Sequence, residues 1–115
     1  MIELDEKYVF HIPKCKYEDG ELVAVELEAI LEDLFCRFKR NGYESAYMSD
    51  VKSWYKQRYF DELLITVFTC SCNVSNDDSM TPSDIFGKWF RKNNDVLGQE
   101  AFAFEWDNRL FIEKL

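Results

Sequence analysis

The order of elements along this chain predicts an α+β domain, one antiparallel sheet with two helices on one of its faces. Three observations carry that expectation. Short stretches rich in β-branched and aromatic residues read as strands. Two other stretches place apolar residues at helical spacing. The elements follow one another as β-α-β-β-α-β, with one further strand at the C-terminus.

The first strand is Lys7 to Pro13, where Pro13 ends the run. Tyr17-Glu18-Asp19-Gly20 reads as a turn. A helix is expected over Glu21 to Arg40, because Val23, Leu27, Ile30, Leu34 and Phe38 fall on one stripe that Leu31 widens. Acids crowd its start and Arg37, Lys39 and Arg40 its end, which suits the helix dipole. Asn41-Gly42 supplies a left-handed stop. Tyr43 to Tyr55 reads as a long second strand with a bulge or break near Ser49-Asp50, and Lys56 to Phe60 as a turn. The third strand, Glu62 to Cys72, is apolar on both faces through Leu63-Leu64-Ile65-Thr66-Val67-Phe68, the mark of a central strand. Asn73 to Met80 reads as a polar loop. Thr81 caps the second helix, Pro82 suits its first position, and Ile85, Phe86, Trp89 and Phe90 face inward. Asn93-Asn94 and Gly98 mark its end. Glu100 to Trp106 and Arg109 to Glu113 form a hairpin about Asp107-Asn108. Two split β-α-β units of this kind make a ferredoxin-like sandwich.

The chain has 115 residues, which suits a single domain spanning 1–115. Acids exceed bases by 22 to 14, a formal net charge of −8, and that argues against nucleic acid as a partner. The N-terminus, Met1-Ile2-Glu3-Leu4-Asp5-Glu6, is acidic and lacks the apolar core of an export signal. The longest apolar-rich run, Leu63 to Phe68, is far too short for a membrane span, and a negative chain is repelled by anionic lipid. A cytoplasmic protein is expected, with Cys15, Cys36, Cys70 and Cys72 as free thiols.

The sheet has two faces, and the helices cover only one. In the third strand Leu64, Thr66 and Phe68 oppose Leu63, Ile65 and Val67. In the first, Tyr8, Phe10 and Ile12 oppose Val9 and His11, and Phe102, Phe104 and Trp106 share a side of the hairpin. Whichever face meets the helices, apolar area is left over, and such patches mark interaction surfaces. A second copy, a partner protein, a small apolar ligand or the chain's own curling strands are the possible covers. A homodimer through the sheet is the favoured expectation.

No catalytic motif stands out, so no catalytic residue and no cofactor is assigned. Cys70-x-Cys72, with Cys15 and His11, has the wrong spacing for a zinc site, and the topology sets Cys15 and Cys72 at opposite edges, so no metal is expected. His11 is the only histidine and has no paired Ser or Cys nucleophile, which favours a packed or interface role. Glu28 and Glu32 form a solvated stripe. Ser53 to Tyr59 mixes bases with aromatics, the pattern of a stacking surface for single strands, but at this net charge it reads as a guarded sheet edge. The residues expected at a ligand site or interface are His11, Tyr47, Trp54, Phe104 and Trp106.

Glu62 to Phe68, the capped helix after it and Gly98-Gln99-Glu100-Ala101-Phe102 resemble uncharacterised bacterial proteins of the ferredoxin-like, dimeric α+β barrel type. The resemblance implies the fold and sheet-to-sheet pairing and brings no catalytic residue. Three functional readings follow. The first is a small acidic binding or interaction domain, homodimeric through its sheet. The second is a small-ligand-binding protein or enzyme of the barrel type. The third is an acidic inhibitor or immunity-type protein that neutralises a basic partner.

Overall fold

The computed structural model describes residues 1–70 and 80–115. The elements are β1 (Glu6–Pro13), β2 (Cys15–Glu18), β3 (Glu21–Ala24), α1 (Glu28–Arg40), β4 (Ala46–Tyr55), β5 (Arg58–Thr69), α2 (Pro82–Lys92), α3 (Asn94–Leu97), β6 (Ala101–Trp106) and β7 (Arg109–Lys114). One five-stranded sheet has the order β4-β5-β1-β6-β7, and β2 and β3 form a separate ribbon. All of its pairings are antiparallel. Without the ribbon and β7, this is the ferredoxin-like α+β sandwich that the sequence predicts.

Register decides which face is buried. Phe10 stands opposite Ile65 on one side and Phe104 on the other, and Tyr8 opposite Val67 and Trp106. Tyr8, Phe10, Ile12, Leu63, Ile65, Val67, Phe102 and Phe104 therefore share the helix-covered face, and all are buried. From the helices come Leu34 and Phe38 of α1 and Ile85, Phe86, Trp89 and Phe90 of α2. Phe10 stacks on Phe86 with ring centroids 4.5 Å apart and on Phe38 at 5.8 Å. The Trp89 indole donates to the Ile30 carbonyl at 2.7 Å and ties α2 to α1.

Four differences from the sequence reading have local causes. First, α1 starts at Glu28, not Glu21. Asp19 and Gly20 both take positive φ, 52° and 81°, which makes a two-residue hairpin turn, and Glu21–Ala24 is spent on pairing with Cys15–Glu18. Second, β4 pairs with β5 without a break from Ala46 to Tyr55, so there is no bulge at Ser49-Asp50. Third, the turn before β5 is only Lys56-Gln57, with φ of 50° and 65°. Fourth, Cys15 and Cys36 are free but Cys70 is disulfide-bonded, against the free-thiol expectation. That expectation rests on the compartment alone, which does not decide whether a particular cysteine is bonded. The expected end of the third strand at Cys72 and most of the loop Asn73 to Met80 lie outside the described residues.

Elsewhere the local signals hold. Thr81 caps α2 by accepting from the Asp84 amide, and Pro82 opens the helix. Replacing Thr81 with Ala should cost about 1 kcal/mol in urea unfolding, because that amide then loses its acceptor. Gly42 has φ +87° just past α1, and Asp107-Asn108 turns the last hairpin with φ of 53° and 59°. β4 is an outer strand, and Ser53 to Tyr59 lies on its edge hairpin. Among the described residues no helix is long and apolar enough to cross a membrane.

Candidate functional site

On the second face of the sheet, alternation places Val9, His11 and Pro13 of β1 beside Glu62, Leu64, Thr66 and Phe68 of β5. From β6 come Ala101, Ala103 and Glu105. His11 stands at the centre. Its Nε2 is 2.7 Å from Glu105 Oε2 and its Nδ1 is 3.5 Å from Glu62 Oε2. The imidazole thus bridges three strands between two carboxylates. The Glu62 hydrogen bond raises its pKa most; burial opposes the rise and Glu105 adds to it.

The rim of this face is apolar. Tyr47 meets Phe68 edge to face at 6.0 Å. Leu110 and Ile112 of β7, opposite Glu105 and Ala103, are exposed. The leftover apolar area foreseen from alternation is therefore present, but it surrounds a charged centre.

Toward the β2–β3 ribbon the same face deepens into an open cleft of about 810 Å³. Its floor includes Pro13, Ser53, Tyr55, Arg58, Phe60, Glu62 and Ala101, all on this side by register. The ribbon forms one wall through Cys15, Lys16, Tyr17 and Leu22, and Gly98, Gln99 and Glu100 form another. The walls are tied down. Lys14 donates its amide to the Asp61 carbonyl and accepts at its own carbonyl from the Val25 amide. The Arg58 guanidinium donates to the Tyr17 hydroxyl at 2.8 Å. Gln99 Nε2 donates to the Cys15 carbonyl at 3.1 Å. Gly98, at φ +60°, lets Lys16 close in, since a Cβ there would lie 2.8 Å from Lys16 Cδ.

The cleft offers both signs of charge, aromatic surface and hydrogen-bonding groups, which is the make-up of a small-molecule site. Nucleophilic chemistry has little support there. Burial, with Asp61 and Glu62 nearby, pushes the Cys15 thiol up and keeps it protonated at neutral pH. Among the described residues no group of three or more His, Cys, Asp or Glu side chains is placed to hold a metal ion.

Of the five expected site residues, the structure brings only His11 and Tyr47 onto the uncovered face. Phe104 is buried in the core, and Trp106 stacks on Tyr8 on the helix side, so neither lies on the uncovered face. Trp54 is exposed near the tip of β4 but points to the helix side, opposite Tyr59. Glu62, Glu105 and Tyr17 were missed as site residues, and Arg58 was weighed only within Ser53 to Tyr59, which reads as a guarded edge. They converge only through pairing of distant segments, such as His11 with Glu105, 94 positions apart.

No protein-family model matches the chain, and no curated protein matches it in sequence. Among solved structures it is similar to a phage SAM lyase in complex with S-methyl-5'-thioadenosine. The identity is 12%, the TM-score is 0.58, and the match covers 96% of this chain and 89% of the other. The apo state of phage SAM lyase matches at 13% identity and a TM-score of 0.55, covering 100% and 95%. The shared feature is the fold.

Proposed function

We propose that this chain binds a small adenosyl-sulfur metabolite of the S-adenosylmethionine class in the cleft between the uncovered sheet face and the β2–β3 ribbon. The observation that carries the reading is the cleft itself, large enough for a ligand of that size and lined by charged, aromatic and hydrogen-bonding groups. The likeness in fold to phage SAM lyase supplies the ligand class. The charge fits as well, since S-adenosylmethionine is a cation at neutral pH and the chain carries a net −8.

Titration calorimetry of the full chain with S-adenosylmethionine and with S-methyl-5'-thioadenosine tests it. Saturable one-to-one binding of either is the expected result. Heats indistinguishable from dilution for both, at hundreds of micromolar, would end the proposal. Chromatography of the same mixtures for released S-methyl-5'-thioadenosine distinguishes a binder from an enzyme.

A second reading is a pair of copies meeting through this sheet face. The exposed rim of Tyr47, Phe68, Leu110 and Ile112 favours it. Light scattering at several concentrations separates a 13.7 kDa monomer from a species of twice that mass.

A further inference from the structure

We infer that the cleft selects ligands in which a carboxylate and a cationic centre are joined by a short aliphatic arm. Arg58 and Lys56 hold the carboxylate at the hairpin end, and Glu62 faces the cation at the His11 end. The inference rests on the reading of this cleft as a binding site and adds which part of the ligand it recognises.

The order of side chains along β5 is the first support. Arg58, Phe60 and Glu62 are successive residues on the cleft side, so the floor runs from base through ring to acid. Four residues of strand separate the two charged positions by roughly 13 Å at the backbone, and both side chains are long enough to shorten that gap. The pairing pattern is the second support. Among the described residues neither Arg58 nor Lys56 has a carboxylate partner, although the chain has a large excess of acids. One Arg58 nitrogen is committed to the Tyr17 hydroxyl at 2.8 Å, which fixes the guanidinium against the ribbon and leaves its other donors for an anion. Lys56 rests over the Tyr55 ring, 5.3 Å from its centroid, at the same end. At the opposite end Glu62 and Glu100 line the cleft, Glu62 within 3.5 Å of His11, while Asp61 turns to the other face of β5 and pairs with Lys52. A ligand with one charge of each sign is matched at both ends, whereas a neutral one gains from neither.

Three probes test this on the full chain. S-adenosylmethionine has both the carboxylate and the sulfonium, decarboxylated S-adenosylmethionine has cationic charge only, and S-methyl-5'-thioadenosine has neither. The wild-type chain should bind S-adenosylmethionine at least about tenfold more tightly than S-methyl-5'-thioadenosine, since a charge-assisted bidentate contact is worth that much. The variant pair Lys56→Gln with Arg58→Gln should erase most of the difference, read as the ratio of the two affinities so that any loosening of the ribbon wall that Arg58 ties through Tyr17 cancels. Arg58→Lys should retain part of it, and Glu62→Gln should weaken both cationic probes. Circular dichroism of each variant shows that it is folded. Equal affinity of the wild-type chain for all three, or variants that weaken all three alike, would overturn the selection while leaving the binding site in place. No binding of any probe would overturn both.

Discussion

Replacing Trp89 with Ala should remove a large share of the chain's stability at room temperature. Trp89 is fully buried, packs on Phe86 and Phe90, and carries the indole bond to the Ile30 carbonyl that clamps α2 onto α1. Truncating a buried Trp costs about 3–5 kcal/mol in cavity and lost transfer energy. The Ile30 carbonyl also loses its indole donor. Domains of this size have only about 5–15 kcal/mol in total. Trp89→Phe refills much of the space and loses the hydrogen bond, so it should cost about 2 kcal/mol. Urea unfolding followed by circular dichroism measures both. A small loss for the Ala variant would mean that the α1–α2 layer repacks freely, which the stacked rings argue against.

The next effect is a pH dependence set by His11. Its folded pKa lies above the usual value of about 6.5, chiefly through Glu62. A group raised on folding stabilises the folded state fully below its unfolded pKa. That stabilisation is lost as pH rises through the folded value. Stability should therefore fall as pH climbs from about 6.5 through the raised folded value, where the two carboxylates lose the cation between them. His11→Gln keeps a donor but cannot be charged, so its stability curve should be flat over that window. A wild-type curve that is flat there, or one that rises, would show that the triad does not hold its proton more tightly when folded. The same titration bears on the cleft, because loss of the His11 proton leaves Glu62 free to face a cationic ligand.

Residue chemistry made much of this fold readable. The cap at Thr81-Pro82, the Asp107-Asn108 turn and the two-sided apolar run of β5 are local signals, and each maps to the element it marks. The β2–β3 ribbon was hidden because Val23 and Leu27 extend the α1 stripe backward, so helical spacing continues into a strand. Asp19-Gly20 between two short polar-apolar runs is the signal that would have found it. His11 could be singled out as the only histidine, but its partners could not. Glu62 and Glu105 reach it through strand register, which no local pattern specifies when the strands are joined by helices. The cleft depends on the ribbon, so missing the ribbon hid Tyr17 and Arg58 as well.

The strand order also bears on how the chain is made. β1 precedes every other strand in sequence yet sits at the middle of the sheet, between β5 and β6. Its Tyr8 pairs with Val67 on one side and Trp106 on the other. During synthesis β1 keeps one hydrogen-bonding edge open until Ala101–Trp106 is available to pair with it. Such non-local pairing slows folding toward the millisecond-to-second range. A chain released before residue 101 would expose the edge of its central strand, with Tyr8, Phe10 and Ile12 short of their β6 neighbours, the state most open to mispairing with another copy.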